Sequence, residues 1–535
     1  MTFVRRALFP TALALIVIAQ LVIVVPGLFH TRLWEDEAYN LTVALNLLAG
    51  HGYASDGILS GGHKLLFDPR ISTGPTVLLP VTAMLSTGID LVLGGRIVML
   101  LFYAALLVGL WLLGRRVAGG LAGASAGRWG GLVAMTLPLA LNLKQMPSPV
   151  QGPTDILGEL PAAMFLVFAL YLWRRHPLWA GLMAGLAVQT KFIALLAVPA
   201  LLVAVLLSEP RVDGRWNWGA RVLRAVWFGV AVAVPTVLVE LWKLITLGWG
   251  GYLAETHEFV RFVRTGGQAD VVTSPGAKVG YLANSWFVPA WAVLALVVLA
   301  VAVVVVVWRG RVSRRSFLTP QPAEPLRWLR SARNERVSKP AAAEAVFTLG
   351  IAVITLLVWM AWWLASAHTP AWIRYPGPAL IAFVPVLAAG LVAGIRMLWR
   401  SPASDRARTG GRVLAGVTTG LLVVLIGAQA VLHGFWGWTP FWNETLTQQR
   451  AAASAVSELG EPALQSYWGP GVSLVVLAGS RSVLRDAPSA AGLPMVYFTY
   501  QLTAAQQAAF DRTIDTACSR VLVRTGPYVV CQPVG

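Results

Sequence analysis

Apolar residues in this chain run in long blocks rather than in strand-like alternation or single amphipathic stripes, and polar segments separate the blocks. Eleven blocks stand out, at roughly residues 8 to 29, 94 to 113, 129 to 143, 160 to 173, 178 to 190, 192 to 208, 225 to 248, 281 to 308, 344 to 366, 378 to 395 and 413 to 432. Most approach the ~20 residues that a helix needs to cross bilayer hydrocarbon. The pattern therefore predicts about eleven transmembrane helices. The first block follows Arg5 and Arg6 but exceeds the ~7 to 15 apolar residues of a secretory signal, so it is read as an uncleaved span. Residues 35 to 49 suit a helix lying near the membrane interface and stopped by Gly50 and Gly52. Pro75 suits the first turn of a second such helix, running through Leu85.

Composition agrees with this class. The chain is 57% hydrophobic and 12% charged, more apolar than one soluble core can enclose. A net charge of +18 would suit nucleic acid if the basic residues gathered on a soluble face. They lie between apolar blocks instead, so no nucleic-acid partner is expected. With the N-terminus in the cytoplasm, the inner segments hold Arg5 and Arg6; Arg115, Arg116 and Arg128; Arg174 and Arg175; Arg211, Arg215, Arg221 and Arg224; the basic run from Arg309 to Lys339; and that from Arg396 to Arg412. Every inner loop then obeys the positive-inside rule. An even change in the number of spans preserves this orientation. Four polar segments fall outside, at 30 to 93, 144 to 159, 249 to 280 and 367 to 377, and the chemistry is sought there.

The first opens with Trp34-Glu35-Asp36-Glu37-Ala38-Tyr39. Carboxylates beside hydrocarbon are costly and by default mark a working site; the other reading is three solvated acids at a helix N-terminus, where negative charge is favoured. Asp36 and Asn40, four apart, share a helix face. The second segment brings Asp155 and Glu159 to the start of a span, where like charges four apart repel unless a cation, a metal ion or a shared proton intervenes. Lys191 interrupts an apolar stretch, either snorkelling to the interface or supplying a cation for a lipid phosphate. His257 and Arg261 share a helix face in the third segment, a combination suited to phosphate. Arg374, followed by Tyr375 and Pro376, breaks the positive-inside pattern and so invites another role.

Asp36-Glu37 with Ala38 and Tyr39 after the first span, the Thr190-Lys191 step and the Arg374-Tyr375-Pro376 segment resemble the GT-C class of integral-membrane glycosyltransferases. The nearest branch is that of protein O-mannosyltransferases and lipid A aminoarabinose transferases, and the likeness covers most of residues 1 to 400. It implies an all-α polytopic membrane protein of GT-C fold in a bacterial plasma membrane. It also implies transfer of a sugar from a polyprenyl-phosphate donor to an extracytoplasmic acceptor, with inversion at the anomeric carbon. Carried over, Asp36 is the base or acceptor-orienting carboxylate, supported by Glu37, and Asp155 is the acid at the outer end of the third span, with Glu159 beside it. Lys191 and Arg374, with Tyr375, bind the lipid phosphate, and His257 and Arg261 match a histidine and arginine of a later outer loop. A divalent ion on Asp36, Glu37 and Asp155 suits hard-cation chemistry, but no spacing demands it, so no cofactor is assigned. Sugar and acceptor stay open among protein hydroxyls, a glycolipid and a polysaccharide.

Residues 433 to 535 follow this transmembrane catalytic domain (1 to 432) and predict a small extracytoplasmic α/β domain. Val472 to Leu477, Pro494 to Thr499, Arg520 to Val523 and Tyr528 to Val530 read as strands, with a helix near Gln501 to Thr516. Cys518 and Cys531 flank a hairpin turned at Gly526-Pro527, and outside the cytoplasm they can pair. Phe435-Trp436-Gly437-Trp438 and Phe441-Trp442 suit the interface belt. The competing class is a transporter or flippase of lipid-linked or envelope substrates, but that predicts ionisable residues near the bilayer midplane and related halves. Neither is visible.

Overall fold

The computed structural model describes residues 2–140, 152–208, 217–265, 271–286, 288–315, 339–400, 405–438, 444–499 and 503–534. In chain order the helices are α1 (Thr2–Phe29), α2 (Glu35–Leu48), α3 (Pro75–Leu85), α4 (Leu91–Ala122), α5 (Ala124–Ala140), α6 (Glu159–Leu172) and α7 (Pro177–Thr190). A 3-10 turn (Phe192–Ala197) then leads into α8 (Val198–Leu206), α9 (Trp218–Arg264), α10 (Pro275–Asn284), α11 (Ala290–Arg315), α12 (Lys339–Ala365), α13 (Gly377–Trp399) and α14 (Asp405–Trp438).

Each apolar block forms helix, but the expected eleven crossings are not equivalent. Among the described residues, seven helices are long and apolar enough to cross a membrane: α1, α4, α9, α11, α12, α13 and α14. The others are shorter. At 1.5 Å per residue α6 extends only about 21 Å, less than the ~30 Å hydrocarbon layer. Ten of its 14 residues are buried, because α4, α7 and α13 enclose it. A helix wrapped by protein needs no full lipid-facing length.

The local signals explain the other boundaries. Gly50 and Gly52, both with φ of +78°, stop α2. Pro75 opens α3, and Gly74 precedes it as the N-cap. Helix α9 breaks at Gly248, whose φ of +66° lies outside helical space, at the expected end of its apolar block. A two-strand hairpin, β1 (Ala54–Ser55) with β2 (Leu65–Leu66), folds the first polar segment back on itself. Tyr53 and Phe67 then stack, and both rings meet Trp242 of α9 edge-on.

The C-terminal region comprises α15 (Leu446–Ser457), β3 (Ala463–Ser466), α16 (Pro470–Leu477), β4 (Arg481–Leu484), β5 (Met495–Phe498), α17 (Ala504–Ala517), β6 (Cys518–Thr525) and β7 (Tyr528–Pro533). Its five-stranded sheet has the order β4-β3-β5-β7-β6. Strands β4, β3 and β5 are parallel, and β7 is antiparallel to β5 and β6. One expectation fails: residues 472 to 477 are helix, not strand. A continuous apolar run satisfies either state; here Pro470 starts a helix, and the parallel β3 and β4 require a crossover. The hairpin turns at Gly526, with φ of +52°, and Cys518 and Cys531 form a disulfide across it, their Cα atoms 5.7 Å apart. Phe441, Trp442 and residues 500–502 lie outside the described residues.

This region packs on the start of the bundle. Leu446, Val472 and Val476 share one apolar core with Leu41, Val77 and Leu78. The Gln449 side chain clamps the Leu33 backbone, accepting from its N at 2.7 Å and donating to its carbonyl at 3.1 Å.

Candidate active site

Helix α2 supplies the first residue of the site. The side chain of Glu37 accepts a hydrogen bond from the Trp34 backbone N at 3.0 Å, which closes the first helical turn in the manner of a capping box. The same carboxylate takes a two-pronged ion pair from Arg96 of α4, at 2.9 and 3.2 Å. Arg96 also donates to the carbonyls of Gly27, Thr31 and Arg32. Both residues are buried. Glu37 is thus held inward by the end of α1 and by α4, and Asp36 is turned to the other side of the helix start.

There Asp36 meets Arg374. The Arg374 guanidinium donates from Nη1 to the Asp36 carboxylate, and its Nε lies 3.3 Å from Glu159 Oε1. Lys191 Nζ donates to that same Glu159 oxygen. Four charges from four places in the chain therefore form one alternating series: Asp36 at the start of α2, Arg374 ahead of α13, Glu159 at the start of α6, and Lys191 between α7 and the following 3-10 turn. Glu159 is fully buried and Lys191 is 7% exposed. The second Glu159 oxygen, Oε2, is buried and has no hydrogen-bond partner among the described residues, leaving an acceptor atom for another polar group. Trp34 and Trp372 flank the Arg374 guanidinium, with ring centroids 5.7 and 5.9 Å away. Tyr375 stacks on Trp372, and its carbonyl accepts from Trp359 Nε1 at 3.0 Å.

Close backbone approach positions Lys191. Its φ of −151° and ψ of 114° interrupt the helix. The Thr190 carbonyl accepts from Gly74 N at 2.9 Å, and the two threonine hydroxyls of Thr76 and Thr190 bond at 2.6 Å. A Cβ on Gly74 would stand 1.7 Å from the Gln189 carbonyl oxygen, and one on Gly158 would stand 2.9 Å from the Thr190 carbonyl oxygen. Two glycines thus allow α3, α7 and the start of α6 to converge.

Asp155 lies beside the series rather than in it. Its carboxylate accepts from Gly152 N at 2.8 Å, and Ile156 N donates to Glu37 at 3.2 Å. Burial, then the charge of Glu37, push the Asp155 carboxyl up to about 7, against the opposing effect of Arg96. Residues 144–151 of the same segment lie outside the described residues. Asn40, expected on the same helix face as Asp36, is buried and donates to Thr73 and to the Ile156 carbonyl. His257 and Arg261 do not join the series among the described residues: Arg261 is 65% exposed and pairs with Glu258. Likewise, no three His, Cys, Asp or Glu side chains converge there in a way that could hold an ion. Asp36 pairs with Arg374, and the Asp155 carboxylate accepts from Gly152 N.

The sequence reading missed Arg96, Gly74, Gly158 and Asp68. Asp68 is buried and accepts from Tyr39, Ser55 and Ser60, anchoring α2 to the folded first segment. A lone arginine inside an apolar block was the available signal for Arg96.

At the opposite end of the bundle a second set of charges meets. Glu344 pairs with Arg116 at 3.2 Å and Arg174 at 2.7 Å. Segments assigned to one side by the positive-inside pattern do come together in space.

No protein-family model and no curated protein sequence matches the chain. Its fold is similar to that of a solved membrane protein, ArnT. ArnT from Cupriavidus metallidurans bound to undecaprenyl phosphate is similar to the chain with a TM-score of 0.53 and 13% identity, over 98% of each chain. The apo form of that ArnT gives a TM-score of 0.50 and 14% identity over the same shares.

Proposed function

We propose that this protein transfers a sugar from a polyprenyl-phosphate donor to an extracytoplasmic acceptor hydroxyl. The observation that carries the proposal is the Asp36–Arg374–Glu159–Lys191 series at the end of an otherwise apolar bundle. Arg374 and Lys191 are cations whose present partners are carboxylates, so an entering lipid phosphate meets two donors already oriented toward anionic oxygens. The lipid tail is accommodated by the hydrocarbon around the bundle. A protein of the same fold, ArnT, is bound to undecaprenyl phosphate, which supports this class of donor.

The transfer follows from the charges. Arg374 exchanges part of its contact with Asp36 for the phosphate, which leaves the carboxylate to accept the proton of the acceptor hydroxyl. A positioned base of this kind contributes about 10²- to 10⁴-fold. The acceptor oxygen attacks the anomeric carbon from the face opposite the phosphate, the new C–O bond forms as the bond to the phosphate oxygen breaks, and the configuration inverts. Charge accumulates on the departing polyprenyl phosphate, where Arg374 and Lys191 stabilise it more strongly than water would in a partly dehydrated site. Glu159 Oε2, which has no partner among the described residues, supports a role in accepting from a hydroxyl. The four charges of the series lie at or beside helix ends, which supports transfer over transport through the midplane.

The test is radiolabelled transfer by the purified, folded protein in proteoliposomes, offered polyprenyl-phosphate sugars with protein, glycolipid and polysaccharide acceptors. Labelled product is expected with at least one pair; none with any pair overturns the proposal.

A further inference from the structure

At the carboxyl end of the parallel strands of the C-terminal sheet, β3 and β4 stop in register, and β5 runs on by two residues. Register aligns Ser466 of β3 with Leu484 of β4 and Val496 of β5. The residue that follows on each strand is therefore Tyr467, Arg485 or Tyr497, side by side. Arg485 donates to the Tyr467 phenol oxygen, its guanidinium lies 5.5 Å from the centre of that ring, and its charge reaches Tyr497. Tyr467 is 49% exposed and Trp468 is 38% exposed. Gly469, with φ of +140°, turns the chain immediately before α16 and leaves Trp468 standing at the edge.

The edge is joined to the candidate active site. Trp468 meets Tyr39 edge-on, with ring centroids 6.0 Å apart. Tyr39 is three residues past Asp36 on α2 and is fixed by its bond to buried Asp68. In open α/β sheets, ligands bind outside the carboxyl ends of parallel strands. Here that position offers aromatic faces, on which the C–H face of a sugar ring can lie, and a guanidinium and phenols that can bond its hydroxyls.

We propose that Tyr467, Trp468, Arg485 and Tyr497 form a binding site for the pyranose rings of a carbohydrate-containing acceptor. The site adjoins Tyr39, which is itself one helical turn from Asp36 on α2. Calling the ligand an acceptor rests on the transferase function proposed above; the binding itself does not.

The test is saturation-transfer NMR on the full-length protein in nanodiscs, with mannotriose, galactotriose and maltotriose as saccharide probes and the peptide Ala-Ser-Thr-Ala as the contrasting one. At least one trisaccharide is expected to bind through its ring C–H protons. Trp468→Ala and Arg485→Met should each weaken it about tenfold, the effect of losing one good stacking or charge-assisted contact. Trp468→Phe, which keeps an aromatic face, should restore most of it. The proposal is overturned if no trisaccharide binds the unaltered protein, if neither weakening variant changes binding, or if only the peptide's signal depends on Trp468. Saccharide binding that depends on Trp468 in a protein without transfer activity upholds the site and removes the transferase function instead.

Discussion

Arg374 and Asp36 lie 338 residues apart in the chain and form an ion pair. This contact joins the start of α2 to the loop ahead of α13. Because Arg374 also reaches Glu159, and Glu159 binds Lys191, the two cations assigned to the donor are held in place before any donor arrives. Arg374→Met and Lys191→Met are each expected to weaken polyprenyl-phosphate binding about tenfold or more, the value of one charge-assisted contact. Titration of binding in nanodiscs checks this, with acceptor KM unchanged. A change confined to acceptor KM removes both residues from the phosphate site.

Gly74→Ala is expected to act on Lys191 without touching it. The added methyl cannot fit 1.7 Å from the Gln189 carbonyl oxygen, so α3 and the end of α7 must separate and Lys191 must shift. Donor binding should fall as in Lys191→Met, and the double variant should be little worse than either single one, because contacting sites are not additive. Full additivity would mean that Gly74 acts elsewhere.

Glu37 and Arg96 predict a different outcome. Each is buried, and removing one leaves the other charge uncompensated, which costs about 3 to 5 kcal/mol in such pairs. Glu37→Gln should therefore lower the unfolding temperature, and Glu37→Gln combined with Arg96→Met should recover part of the loss. Thermal unfolding of the parent protein and both variants in one detergent decides the point. A Glu37→Gln protein of unchanged stability but without transfer activity would make Glu37 a chemical participant.

Asp155 carries a pH signature. Its carboxyl is pushed up to about 7 in the folded protein, from 3.8, so between these values the folded state binds more protons than the unfolded one. Stability from this group is complete below about pH 4 and is lost as pH rises toward 7. Asp155→Asn keeps an oxygen for Gly152 N and cannot ionise. Its unfolding temperature relative to the parent protein should rise between pH 5 and pH 8. A constant difference across that range contradicts the shift.

Ionisable residues at the ends of apolar blocks were legible in the sequence because hydrocarbon makes them conspicuous. Asp36, Glu159, Lys191 and Arg374 were found in this way. Their pairing was not, since nothing local to Asp36 specifies a partner near α13. Arg96 was hidden inside a block already read as a span. The lengths of α6 and α7 were legible, but the enclosure of α6 by other helices was not, for a related reason: an apolar helix enclosed by protein and one facing lipid have the same composition. Residues 472 to 477 could be strand or helix by hydrophobicity alone, and Pro470 was the clue to helix. The docking of the C-terminal domain on α2 depends on surface fit between Trp468, Gln449 and the first helices, which no periodicity records.

The central claim is that Asp36 takes the proton of the acceptor while Arg374 and Lys191 hold the donor. Single-turnover transfer and polyprenyl-phosphate binding, measured together on Asp36→Asn, test it most directly. Losing the carboxylate should slow transfer by at least about 10²-fold while donor binding is retained or strengthened, because Arg374 is released from its partner. Unchanged transfer by a protein that binds donor normally would contradict the account.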